Sequence, residues 1–214
     1  MIARSDLRGE ATMTAHHGPE GHHDWHSAEY VDHWISHDLT NDDERRPHLR
    51  EMMEHTPFAS DAALEIADIG AGYGVVAEQA LIAFPNARVT LLDYSEPMLE
   101  HARKRLAQFA DRIESKIVDL STPSWTDGLT NKFDVAVSGL VFHNLMAERH
   151  FQDMYKETFT LLKPGGAFLD YDLVSFTGGL EQHLEWLRLA GFGSVECPWD
   201  GGTPAVLVAK VMPR

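Results

Sequence analysis

From residue 58 onward, short apolar runs alternate with stretches whose apolar positions recur three and four residues apart. The runs "ALEIADI" (63–69), "RVTLLD" (88–93), "IESKIVD" (113–119), "FDVAVSG" (133–139), "GAFLDYDL" (166–173), "GSVECPW" (193–199) and "PAVLVAKV" (204–211) predict strands. Helical periodicity lies between most of them, over 73–84, 95–109, 147–162 and 178–190. Strands that alternate with amphipathic helices predict an α/β fold, with a mostly parallel, doubly wound sheet of seven strands covered on both faces. "DGGTP" between the last two strands is too short for a crossover helix, so they should pair as an antiparallel hairpin at the sheet edge.

Upstream the pattern differs. Residues 1–24 are polar, rich in Gly and His and without periodicity, and read as a flexible tail. Residues 25–57 read as two helices forming an N-terminal cap, with Tyr30, Val31, Trp34 and Ile35 at helical spacing. Thr40 or Asn41 is the expected cap of the second helix, with Asp42, Asp43 and Glu44 in its first turn, and Pro57 marks its end. Residues 58–214 then form the main domain.

Composition narrows the partners. The 214 residues suffice for one well-buried domain, and the apolar fraction of 43% is that of a globular protein. A net charge of −15 argues against a nucleic-acid backbone or an anionic membrane as partner. Cys197 is the single cysteine, which excludes an internal disulfide and suits a reducing compartment. There is no apolar leader and no window approaching the ~20 apolar residues of a membrane span, so the expectation is a cytoplasmic protein.

The chemistry is signalled at "ALEIADIGAGYGVVAEQAL" (63–81). A strand followed by Gly70, Gly72, Gly74 and a helix is the geometry of a nucleotide-binding first turn. The spacing is G-x-G-x-G rather than the G-x-G-x-x-G that seats a pyrophosphate, and Asp68 at the strand end is unfriendly to phosphate but suits a cation. A nicotinamide-dinucleotide dehydrogenase is disfavoured on both counts. Asp93 ends the next strand, roughly 20 residues on, where a carboxylate can accept ribose hydroxyls. Asp119 ends the third. A carboxylate at each of three strand ends suggests a ligand with a ribose, a base and an ammonium, but no phosphate.

At these residues the chain is similar to the class I S-adenosylmethionine-dependent methyltransferases, whose sheet is Rossmann-like. The matching stretches are "EIADIGAGYG", "VTLLDYSEPMLEHARKRL", "IVDLSTP", "FDVAVSGLVFHNL" and "LLKPGGAFLDYDLV", in the family's usual order over about residues 63–174. The resemblance implies S-adenosylmethionine as cofactor. It puts Gly70, Ala71, Gly72 and Gly74 against the methionine and ribose, and Asp68 near the cationic amino-acid end. It gives Asp93 the ribose hydroxyls, with Tyr94 and Met98 flanking the adenine. Asp119 faces the adenine amino group with Leu120 beside it, and Ser138 runs under the sulfonium.

Methyl transfer from a sulfonium is an in-line displacement, and an acid–base group is needed only if the acceptor must lose a proton. His143 in "GLVFHNL", after the fourth strand, is the candidate base or orienting group. Tyr171 and Asp172 close the fifth strand and are expected to face the same crevice. Tyr30 and Trp34 share one helical face and could meet the sulfonium through cation–π attraction. Nine of the thirteen histidines precede residue 56, among them His22, His26, His33 and His37. His33 and His37 have the spacing of a helical metal pair, but no cysteine accompanies them, and solvated histidines are the reading taken; no metal is assigned. His33 is also a candidate for lining the acceptor pocket beside Trp34. Trp125, in the loop "STPSWTDGLTNK", is either packed or at a pocket rim.

The absence of long insertions in the later strands favours a small-molecule acceptor, without naming it or the oligomeric state. Two rival readings stay open: a protein of the same fold that uses the cofactor for another reaction, and a His-rich metal-binding module on this scaffold.

Overall fold

The computed structural model describes residues 24–145 and 149–213. Most of the expected tail, including His22, therefore lies outside the described residues. The helical pair at the N-terminus is α1 (Ala28–Asp38) and α2 (Asp42–Glu54). Ser27 caps α1, its side chain accepting from the Tyr30 N–H at 3.2 Å. Neither Thr40 nor Asn41 caps α2: Thr40 Oγ1 donates back to the His37 carbonyl at 2.7 Å, and Asn41 Nδ2 donates to Asp38. A single 3-10 turn, Leu39–Asn41, carries the chain from α1 straight into α2, so the side chains that could cap are spent on the preceding turn.

The main domain alternates as its sequence predicts: β1 (Glu65–Ile69), α3 (Val75–Ala83), β2 (Arg88–Asp93), α4 (Glu96–Arg105), β3 (Ile113–Ile117), β4 (Phe133–Gly139), α5 (Phe151–Leu161), β5 (Leu162–Asp172), α6 (Leu180–Ala190), β6 (Ser194–Asp200) and β7 (Ala205–Lys210). The sheet order is β3-β2-β1-β4-β5-β7-β6. The β6–β7 hairpin forms as expected, but β7 inserts between β5 and β6 and pairs antiparallel with both. Only β7 thus runs against the other strands. Its uniformly buried "AVLVA" explains the placement: an all-apolar strand belongs inside the sheet, whereas β6, with exposed Glu196, stands at the edge.

One face of the sheet packs against α1 to α4 through Val31, Leu49, Ile66, Val76 and Leu99. The other packs against α5 and α6 through Tyr155, Phe168, Leu184 and Leu187. Trp125 is packed, only 4% exposed, and its indole donates to Glu157 Oε2 at 2.6 Å. Arg149 completes this junction. Its guanidinium binds Glu157 at 2.6 and 2.8 Å and the Leu120 carbonyl at 3.1 Å, fastening the loop after β3 to α5. Removing one partner of a buried pair strands the other's charge. Arg149→Ala is therefore expected to lower the unfolding free energy by about 3 kcal/mol, read from urea denaturation. No helix among the described residues is long and apolar enough to cross a membrane.

Candidate active site

The strand order reverses between β1 and β4, and the loops beyond the carboxyl ends of β1, β2, β4 and β5 border the crevice there. The glycine turn forms one wall. Gly70 (φ +65°) has its N–H on the Leu92 carbonyl at 2.7 Å, and a Cβ there would lie 2.4 Å from Val141. Gly72 (φ +51°) is different: nothing lies within 4 Å of the place its Cβ would take, so its surface is open to a ligand.

Asp93 sits between this turn and α4. Its Oδ2 accepts from the Gly72 N–H at 2.8 Å and its Oδ1 from the Ser95 N–H at 2.9 Å. Burial raises its pKa, against the pull of these N–H donors. Asp68 is wholly buried, with Oδ2 on the Ala77 N–H at 3.0 Å and no partner for Oδ1 among the described residues. Burial, opposed by the Ala77 N–H and helped by the Asp93 charge, pushes its pKa up to about 8. Tyr94 stands at the rim with the His26 ring edge-on at 5.1 Å. Met98 and Leu120 are buried at 5% and 7% exposure. Asp119 lies past the end of β3 in an exposed turn, where its Oδ1 accepts from the Ser121 N–H and hydroxyl.

Beyond β4 the backbone enters Leu140 at φ +59°, an unfavourable value for a non-glycine residue and a mark of local strain. The following 3-10 turn carries His143. Its Nδ1 meets Asp172 Oδ1 at 2.5 Å, and its N–H donates to Asp172 Oδ2 at 3.2 Å. The Leu173 N–H also donates to Asp172 at 2.7 Å. The carboxylate is 2% exposed and the imidazole 21%, so the ring is held from behind and open in front. Asn144 donates to the Leu140 carbonyl and braces the turn.

Tyr171 does not join this pair. Neighbouring strand residues point to opposite faces, so Tyr171 packs under α2, near-parallel to His48 and Trp199, while Asp172 faces the other side. The same alternation puts Asp170 with Asp172. Asp170 is fully buried and neither oxygen has a partner among the described residues; burial, and then the Asp172 charge, raise its pKa well above the usual carboxylate range. Ser138, in register with Asp170 on β4, is likewise buried, with its hydroxyl unpartnered among the described residues. Close by, the buried hydroxyl of Tyr155 bonds His183 at 2.6 Å, and the other His183 nitrogen bonds Thr177 at 2.8 Å.

On the cap, Trp25 contacts Tyr30 and Trp34 edge-on at 5.4 and 5.2 Å, and Trp34 faces Tyr73 of the glycine turn at 6.1 Å. His33 lies apart from them, exposed, with its ring against His37 at 4.4 Å. Among the described residues no three His, Cys, Asp or Glu side chains are grouped to hold a metal. Sequence reasoning passed over Tyr73, whose role depends on residues brought from the cap.

A family model described as a methyltransferase domain matches residues 67–168. That segment is similar to a methyltransferase domain. Among curated relatives, trans-aconitate 2-methyltransferase of Paracidovorax citrulli is 37% identical over 84 residues, 39% of this chain and 28% of that one. Ribosomal RNA large subunit methyltransferase G of Alcanivorax borkumensis is 30% identical over 119 residues, 55% of this chain and 30% of its own. The chain thus spans about a third or less of those relatives. In fold it resembles an O-methyltransferase family protein from Burkholderia thailandensis, with a TM-score of 0.72 at 17% identity, over 88% of this chain and 61% of that one. Human N-acetylserotonin methyltransferase in complex with S-adenosylmethionine gives 0.65 at 14%, over 88% and 57%. S-adenosylmethionine, the molecule bound in that human neighbour, is one that the residues here would fit. Gly72 offers an open surface, Asp93 keeps free lone pairs, and Asp68 has an unpartnered oxygen suited to an ammonium.

Proposed function

We propose that this chain methylates a small molecule at a group that must give up a proton, a hydroxyl foremost, with His143 as general base. The observation that carries this reading is the His143–Asp172 pair. Nδ1 faces the carboxylate, which fixes the tautomer and leaves Nε2 as the acceptor for a substrate proton. Bound S-adenosylmethionine supplies an activated methyl group on a sulfonium. The acceptor O–H proton passes to His143 Nε2 as its oxygen takes the methyl, and Asp172, already held by three N–H or imidazole donors, balances the imidazolium. The cap, with Trp25, Tyr30 and Trp34, supplies apolar walls that exclude water. A chain of net charge −15 supports a small acceptor over RNA, although one relative is named for ribosomal RNA.

The test is transfer of labelled methyl to a panel of hydroxylated, amine and thiol acceptors, beside calorimetry with S-adenosylhomocysteine. Binding without transfer to any proton-bearing acceptor would reject the reading.

Asp68 gives a second check. With a pKa near 8 it is about nine-tenths protonated at pH 7, and an ammonium placed beside it favours the carboxylate. Binding at pH 7 should release close to one proton, seen as a dependence of the calorimetric heat on the buffer's ionisation enthalpy. The release should vanish above about pH 9 and in Asp68→Asn. The linkage to stability has a fixed sign: a raised carboxyl pKa favours the fold fully below pH 3.8, and this contribution is lost as pH rises through about 8.

A further inference from the structure

Tyr73, the middle residue of the glycine turn between Gly72 and Gly74, is only 5% exposed. Its hydroxyl hydrogen is shared between Asp38 Oδ2 at 2.8 Å and Asp42 Oδ1 at 2.9 Å, both at the junction of the cap helices. Arg45 binds Asp38 at 2.6 Å, and Arg105 of α4 bridges Asp42 at 2.8 Å to Glu78 of α3 at 2.9 Å. The Arg105 guanidinium also lies over the Tyr73 ring at 5.2 Å, and Trp34 packs on its edge. The cap is therefore fastened to the middle of the cofactor turn by a cluster of paired charges with low exposure.

A second fastening lies across the crevice. The Trp25 carbonyl, at the start of the cap, accepts from Ser95 Oγ at 2.5 Å, and His26 meets Tyr94. Gly72 and Ser95 each hold Asp93 through a backbone N–H. The cap thus grips both neighbours of the candidate ribose carboxylate, one directly and one through the adjoining residue Tyr73. Gly72 and Gly74, at φ +51° and +84°, have no intrinsic preference for these values over others, so the turn depends on such tethers.

We propose that docking of the N-terminal helices and binding of the cofactor are one coupled equilibrium, with Tyr73 and Ser95 as positioning residues that transmit it to Asp93. This rests on the reading of the glycine turn as the cofactor seat. Coupling of this kind is reciprocal: the cofactor must tighten the cap by the factor by which the cap tightens the cofactor.

The experiment uses the full chain, with S-adenosylhomocysteine as the probe. Calorimetry gives its affinity, and hydrogen exchange at the amides of 28–54 reports the cap with and without it. Tyr73→Phe removes only the hydroxyl and keeps the ring; Asp38→Ala removes an acceptor of that hydroxyl from the cap side and leaves every residue of the glycine turn unchanged. In the wild type the probe should slow cap exchange. Both variants should bind it about tenfold more weakly and lose most of that protection, while urea denaturation shows each still folded under the conditions of the assay. Wild-type affinity in both variants, or cap exchange in the wild type that ignores a bound probe, overturns the coupling and leaves the cofactor seat standing. A wild type that does not bind the probe overturns both.

Discussion

His143→Ala is expected to slow methyl transfer by roughly 10²- to 10⁴-fold while S-adenosylhomocysteine still binds with wild-type affinity. The asymmetry follows from position. His143 lies beyond β4, bonded to Asp172 at the end of β5, and among the described residues it bonds to neither the glycine turn nor Asp93. Its removal takes away a proton acceptor and leaves the candidate cofactor wall intact. Asp172→Asn should reproduce most of the loss. An amide can donate to Nδ1 and so present the wrong tautomer, with no acceptor nitrogen toward the substrate. Rescue separates a base from a merely structural imidazole: added imidazole should restore part of the transfer rate of His143→Ala. An alanine variant with full activity removes His143 from the chemistry.

The fold was legible from residue 65 onward because each strand is a short apolar run and each helix keeps its own period; most boundaries agree within a few residues. The geometry of the candidate cofactor wall was legible for a related reason. Gly70, Gly72 and Asp93 act through backbone geometry at fixed points of two adjacent units, and such constraints leave a local trace. The insertion of β7 left none, since pairing partners are chosen by burial after the hairpin forms. Nor did Tyr73: its partners Asp38, Asp42 and Arg105 are 31 or more residues away, and each reads alone as an ordinary surface charge or first-turn acid. Tyr171 and Asp172 show the limit from the other side. Adjacent in sequence, they were assigned one crevice, and the strand's two-residue period sends them to opposite faces.

Asp93→Ala is the substitution expected to do most damage to cofactor binding: S-adenosylhomocysteine should bind at least about 100-fold more weakly, ~2.7 kcal/mol. Each carboxylate oxygen already accepts one backbone N–H, from Gly72 or Ser95, and each keeps a lone pair for a ribose hydroxyl. Hydrogen bonds to a charged acceptor contribute about 1.5–3 kcal/mol each, so losing two accounts for a drop of this size. The same substitution strands two N–H groups, and a fall of about 2 kcal/mol in unfolding free energy should accompany it. Stability and recognition are separated by changing the ligand. An S-adenosylhomocysteine analogue lacking both ribose hydroxyls should bind the wild type far more weakly than the parent compound. Against Asp93→Ala, the parent and the analogue should bind almost alike, because a carboxylate that is no longer present cannot tell them apart. If the variant still discriminates between them as the wild type does, the ribose is held elsewhere, and Asp93 serves only to tie the glycine turn to the start of α4.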